Sequence, residues 1–284
     1  MSFLRKIIEN RYTGITFAIF SVTVILLSIY LDDISEVILP NTKIGIYNKS
    51  FWVNLLINLN STIVDFLFLS LMIIFFTKRM ENKKEIETLR RELKYFATHS
   101  SVETDIKKLF NLKRLSEIDK KPVNIQKIKM QSIDIDSLVL KDADLSGMSL
   151  YESKLKGVKF SNCIIRSLNI SKGKSKDSSF IKCTIRNLKL SGGDFKSINF
   201  EESILINAKM NDAELSNASF KKCDLKDATF DNSNLRCANF SGSKNINIVN
   251  LCKASCLDYI VASDEVLSEI KKIRADVKIK RGKV

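Results

Sequence analysis

The chain has one histidine, two prolines and no Cys-x-x-Cys pair among its 284 residues. His99 is the sole imidazole and stands in a charged stretch, so a Ser-His-Asp or Cys-His relay has no evident base. The six cysteines all follow residue 160, without the spacing of zinc ligands. Disulfides need an oxidising compartment, so reduced, structural thiols are expected. Nine glycines and two prolines are too few for a low-complexity linker, and no glycine-rich phosphate loop is present. No pair of carboxylates has a recognisable catalytic context. These absences predict a protein that is not an enzyme and holds no metal or cofactor.

What the chain does have is unevenly distributed. Its formal net charge is +14. The basic residues are spread along it, which serves membrane topology and solubility and also favours anionic partners. The long aliphatic and aromatic runs are concentrated in the first 77 residues; the remainder is rich in Asn, Ser and Lys.

Tyr12 to Leu31 form 20 residues without a charge, about enough to cross a hydrocarbon core of ~30 Å. No small-residue cleavage site comes after it, so this reads as a retained helix rather than a signal peptide. A second apolar span runs from Phe51 to Thr77 and ends at Lys78-Arg79. Arg5, Lys6 and Arg11 precede the first span; Lys78, Arg79, Lys83 and Lys84 come after the second; the loop between carries Asp32, Asp33 and Glu36. The positive-inside rule then places both termini in the cytosol and the loop outside. Tyr12, Tyr30 and Trp52 fall near the expected interfaces. The expected location is the bacterial inner membrane, as a multi-pass protein in contact with the lipid bilayer.

Within the second span Asn54, Asn58, Ser61 and Asp65 recur at intervals of 4, 3 and 4 and so line one helix face. Asp65 lies 13 residues before Lys78, ~20 Å along a helix. A carboxylate at that depth costs on the order of 3 kcal/mol or more unless it faces protein or water. Gly14, Ala18, Ser21 and Ser28 of the first span allow close helix approach. The stripe reads either as hydrogen-bonding glue or as the lining of a polar pathway built by several copies; both predict a homo-oligomer.

Residues 78–121 read as a cytosolic helical linker. Ile86, Leu89, Leu93 and Phe96 have the 3-4-3 spacing of a short coiled-coil seam, with Glu87 and Arg91 able to pair on the exposed side. Ser100 and Glu103 resemble a capping box, and Val102, Ile106, Leu109 and Phe110 form an apolar face expected to lie over the start of the next domain. Pro122 marks the change of structure.

From Met130 to Phe240, counting in fives, 22 of 23 positions are apolar, Ser175 being the exception. Two residues earlier the chain is often small, as at Ala143, Cys163, Gly193, Ala208, Ala213 and Ala238. Neither a helix nor a strand has this period. The segments ADLSG (143–147), AELSN (213–217), CDLKD (223–227), ATFDN (228–232) and ANFSG (238–242) closely resemble the pentapeptide-repeat family, over residues 125–251. The resemblance implies a right-handed quadrilateral β-helix with four repeats per coil and the central and small residues inside. Positions 20 apart then stack: Phe160, Phe180, Phe200, Phe220 and Phe240 in one column, and Cys163, Cys183 and Cys223 with Ser203 in another. After Phe240 the lattice loses register, and Ser263 reads as the N-cap of a helix whose Val266, Leu267, Ile270 and Ile273 cover the last coil.

The fold class expected is thus two transmembrane helices (1–77), a cytosolic helical linker (78–121), an all-β solenoid (122–260), and a capping helix with a basic tail (261–284). Outward columns of the solenoid are the candidate binding surface. Lys156, Lys176, Lys196 and Arg236 share one column, interrupted at Ser216, with Lys154 and Lys174 beside it. Stacked like charges are tolerated when solvated or when they bind an anion: an acidic cytosolic protein, anionic headgroups or nucleic acid. Several relatives in the family resemble DNA in shape and negative charge and protect DNA gyrase. Residues 125–244 instead hold 20 Lys/Arg against 14 Asp/Glu, so gyrase protection and specific nucleic-acid binding are not expected. Two readings stay open: a membrane-tethered scaffold that displays the solenoid, or an oligomeric membrane-perturbing effector with the solenoid as its sensor. The second resembles two-helix effectors of bacterial antiphage defence in architecture.

Overall fold

The computed structural model describes residues 2–31, 33 and 48–279, with side chains from residue 15 onward. The expected outer loop, with Asp32, Glu36 and Lys43, lies largely outside the described residues, as do the side chains of Arg5, Lys6, Arg11 and Tyr12 and the packing of Gly14. The chain divides into two compact units, Met1–Glu81 and Asn82–Val284.

The first unit contains α1 (Ser2–Ile29) and the first part of α2 (Lys49–Phe96). By length and composition α2 is able to cross a membrane, and the apolar part of α1, Ile15–Ile29, is shorter. The two helices meet through Val24, Leu56 and Ile63, flanked by Phe17, Leu31 and Leu59. The rings of Phe17 and Phe66 lie 4.1 Å apart between centroids. Large side chains make most of this contact; of the small residues expected there, Ser21 and Ser28 are half-buried and Ala18 is exposed.

The second unit begins within α2, whose Glu-, Lys- and Leu-rich C-terminal half favours helix. A short turn leads to α3 (Val102–Ile118), and the two helices run antiparallel, joined by Glu92–Lys107, Glu85–Arg114 and Arg90–Asp119 ion pairs. Two expectations are corrected here. The capping box uses Ser101 and Thr104, one residue later than expected, because the Ser100 hydroxyl donates instead to Asp105 Oδ2. Ile86, Leu89 and Leu93 do not form a seam for another copy; they pack within this unit, continuous with the solenoid core.

The face that α3 buries differs in part from the expected one: Leu109 packs against the core as expected. Val102, Ile106 and Phe110 are exposed, Phe110 at 65%, whereas Asp105, Lys108, Asn111, Leu112 and Leu115 are buried. The physical reason is the open edge of the first coil, which needs polar partners that an apolar face cannot supply.

From Asn124 to Lys244 the chain makes parallel bridges between residues 20 apart. Four five-residue steps thus make one coil. Six segments are regular enough to be strands: β1 (Asp134–Asp136), β2 (Val139–Lys141), β3 (Lys154–Lys156), β4 (Lys159–Ser161), β5 (Lys174–Lys176) and β6 (Ser179–Ile181). They form two three-stranded parallel sheets, β1-β3-β5 and β2-β4-β6. Every fifth residue has positive φ, at Asn162, Asn187, Asn207 and Asn232 for example, and at Gly147 and Gly157. Asn, Asp and Gly tolerate this left-handed conformation best, and it turns the chain at each corner.

Inside, Phe160, Phe180, Phe200, Phe220 and Phe240 stack with centroids 5.1–5.8 Å apart. The one polar central residue, Ser175, is accommodated by its neighbours. The column contains Phe195, whose ring lies over Gly173 and Gly193; a Cβ on Gly193 would sit 2.3 Å from Phe195 Cε2. A larger ring thus occupies the space that two absent side chains leave.

Past Lys244 the solenoid does not end. The short helix α4 (Ile248–Leu251) absorbs two extra residues, and pairing resumes at an offset of 22, Asn234 with Cys256 and Asn239 with Val261. The closing helix α5 (Asp264–Ile273) is capped by Ser263 as expected, with Ile270 buried and Val266 and Leu267 half-buried. Ile273 is exposed, a correction; Arg274 covers that end instead, donating to the carbonyls of Cys252 and Ala254. It also pairs with Asp276 at 2.7 Å and holds that carboxyl down at about 2.

Candidate functional site

The basic column is a consequence of the 20-residue register. Lys154 pairs with Lys174 and Lys156 with Lys176 on adjacent strands, all four exposed. Parallel strands stand ~4.8 Å apart, so these ammonium groups repel unless a counter-charge lies close. Two members have one: Lys154 Nζ is 3.2 Å from Asp134, and Lys196 Nζ is 3.6 Å from Asp194. The Arg236 guanidinium lies over the Tyr259 ring at 5.8 Å. Lys156, Lys174 and Lys176 form no ion pair among the described residues. The structure thus brings the six expected residues onto one face; Lys156, Lys174 and Lys176 are the three without an ion pair, with Asp136 and Asp194 in register beside Lys156 and Lys174 and only lysines flanking Lys176.

The cysteine column is a core feature. Cys163, Cys183 and Cys223 are buried, and each thiol donates to a main-chain carbonyl 23 residues back, as the Ser203 hydroxyl does at 2.7 Å. Burial pushes the Cys223 thiol up to about 12, so it is protonated at neutral pH.

In the first unit Asn54, Asn58, Ser61 and Asp65 are all exposed. Among the described residues the stripe is therefore not buried against α1. The polar contact between these helices is made by a residue off the stripe: Asn60 Nδ2 donates to Ser28 Oγ at 2.7 Å. Sequence spacing gave no signal for Asn60, which stands only two residues after Asn58 yet lies on a different face.

Among the described residues no group of His, Cys, Asp and Glu could hold a metal ion. A parallel solenoid advancing in five-residue steps, with an apolar column inside and hydrophilic columns outside, defines the class: a β-solenoid repeat protein.

Residues 178–217 and 213–244 match the family model described as pentapeptide repeats, in eight copies. Residues 178–244 are thus pentapeptide repeats, and the same 20-residue register extends in the structure back to Asn124. No curated protein sequence matches the chain. Among solved structures, it is similar to QnrB1, a plasmid-mediated fluoroquinolone resistance protein, at 10% identity and TM-score 0.31, covering 55% of this chain and 90% of that one. It is also similar to HetL, a pentapeptide-repeat protein involved in heterocyst differentiation regulation in Nostoc, at 17% identity and TM-score 0.18, covering 55% and 92%. A third is a pentapeptide-repeat protein of the Arabidopsis thaliana thylakoid lumen, at 19% identity and TM-score 0.23, covering 49% and 81%.

Proposed function

We propose that this protein is a non-enzymatic, membrane-tethered scaffold whose right-handed quadrilateral β-helix presents a basic face to an acidic cytosolic partner. The observation that carries this reading is the cluster of Lys156, Lys174 and Lys176, none in an ion pair and all held in register on a parallel sheet. A flexible surface would let such side chains disperse; a parallel ladder cannot, so the repulsion is relieved by an anionic partner. In this reading α1 and the apolar part of α2 both span the bacterial inner membrane, with the termini and the solenoid in the cytosol.

The test is affinity purification of the full-length protein at low salt beside the Lys156→Glu/Lys174→Glu/Lys176→Glu variant. Partners retained by the wild type should fall at least about tenfold with the variant, as close charge pairs contribute ~1.5 kcal/mol or more each. Equal recovery would sink the docking face.

A second reading rests on the exposure of Asn54, Asn58, Ser61 and Asp65 on the outside of the two-helix unit. A carboxylate facing lipid is costly, so copies assemble with these faces together. Such an oligomer would perturb the membrane, as an effector of the antiphage type does. Wild-type protein should then depolarise a bacterial host on induction, and Asp65→Leu should not. Depolarisation that persists in Asp65→Leu, or is absent from the wild type, rejects this reading and leaves the scaffold.

A further inference from the structure

A groove of about 740 Å³ opens in the second unit where the last turn of α3 and the segment around Pro122 face strand β2. It is lined by the four lysines Lys113, Lys120, Lys121 and Lys141, and by the hydroxyl residues Ser116 and Ser137. Three carboxylates also line it; one, Asp119, is engaged by an arginine outside the lining, and the arginine nearest the second, Glu117, is already bound to Glu85 at 2.7 Å. Asp119 accepts from Arg90 Nε at 2.9 Å, and Glu117 lies 3.8 Å from Arg114 Nη1. Burial pushes the Asp119 carboxyl up, but the Lys121 amide and Arg90 outweigh it and hold the carboxyl below its ordinary value. Glu117 and Asp142 remain against four lysines, and none of the four lysines makes an ion pair among the described residues.

We infer that this groove binds a small molecule bearing two or more linked phosphates, of the nucleoside di- or triphosphate class. Four ammonium groups against two carboxylates leave an excess that a single carboxylate does not match, and their spread over α3, the segment after it and β2 suits linked phosphates better than one. The volume is that of a site for a compact organic ligand. One wall is apolar: Pro122 is exposed, and Val139 is 43% exposed although it lies on a strand beside buried Leu140. That wall suits the planar base of a nucleotide, with the phosphates on the lysines. The walls are also tied to α2: Arg90, besides Asp119, donates to the carbonyls of Lys121 and Pro122 at 3.3 and 3.1 Å. A bound ligand therefore bears on a segment that α2 itself holds.

The experiment is calorimetric titration of the full-length protein in detergent with ATP, pyrophosphate and adenosine as separate probes. ATP should bind with Kd on the order of 10–100 µM, pyrophosphate about tenfold more weakly, and adenosine without detectable heat. Lys120→Glu/Lys141→Glu should weaken ATP at least ~30-fold, since each reversal replaces an attraction by a repulsion. Both positions are exposed and unpaired, and an unchanged melting temperature checks that the variant folds. Lys189→Glu/Lys209→Glu, on another groove of the solenoid, should change affinity less than about twofold. Absent ATP binding overturns the site. Equal losses in the two variants mean diffuse attraction and overturn it too. Pyrophosphate binding as tightly as ATP overturns the assignment to nucleotides, and adenosine binding as tightly overturns the phosphate chemistry.

Discussion

Lys108→Met is expected to destabilise the second unit by ~3–5 kcal/mol, the usual cost of breaking a buried ion pair from one side. Lys108 and Asp105 have side chains only 2% and 1% exposed, with Nζ 2.7 Å from Oδ1. The first coil has no coil beneath it, so its lower edge carries main-chain groups that would otherwise be orphaned. The helical hairpin supplies each partner in turn. Ala97 O accepts from the Lys129 amide, Asp105 Oδ2 accepts from the Gln131 amide, and Lys108 Nζ donates to the carbonyls of Lys129 and His99. Methionine fills the volume but strands Asp105 without a counter-charge and the Lys129 carbonyl without a donor. Asp105→Asn alone should also destabilise. The Asp105→Asn/Lys108→Met double variant should lose less than the sum, by ~1–3 kcal/mol, because one interaction is removed twice. Thermal unfolding of the four proteins measures this; additive losses would mean the pair is not a coupled polar cap.

That cap marks where sequence reading stops working. The period of five is a covalent property of the chain, so the inner columns, the phenylalanine stack and the buried thiols were legible from residue numbers alone. On α3 the apolar pattern of Val102, Ile106 and Phe110 pointed to the wrong face, because the solenoid end demanded hydrogen bonds rather than oil. The spacing of Ile86, Leu89 and Leu93 does mark a buried seam, but it does not tell whether the partner is another chain or the next helix. The loss of register after Phe240 was visible, whereas the resumption at Cys256 and Val261 was not; a two-residue insertion hides the period from any fixed count. The lysines of the groove come from α3, from the segment after it and from β2, so no local pattern gathers them. In the first unit the spacing groups the polar stripe on one helix face, but it could not say that Asn60, on another face, would be the residue bonded to α1.

Removing one ring from the phenylalanine column is expected to have a comparable effect with a different distribution. Phe200 is fully buried, stacked at 5.5 Å on Phe180 and 5.8 Å on Phe220 with interplanar angles of 21° and 12°. Phe200→Ala leaves a cavity that the coils cannot collapse into, since each is held to the next by main-chain bonds such as Phe200 N to Ser219 O. The loss should be ~3–5 kcal/mol, made of the transfer energy of the ring and the cavity it leaves. Phe200→Leu should cost only about 1–1.5 kcal/mol, because leucine already fills central positions of neighbouring columns such as Leu190 and Leu205. In a solenoid each coil contacts only its neighbours, so the damage should be local. Hydrogen exchange should accelerate in the coils containing Phe180, Phe200 and Phe220, while the amides near Ile128 and Met130, under the helical cap, keep their protection. Uniform acceleration along the whole solenoid would instead mean that the coils unfold as one cooperative block, with the caps at both ends guarding a single barrier. Losses for alanine and leucine that are equal would show that the aromatic stack, rather than its volume, is what holds these coils together.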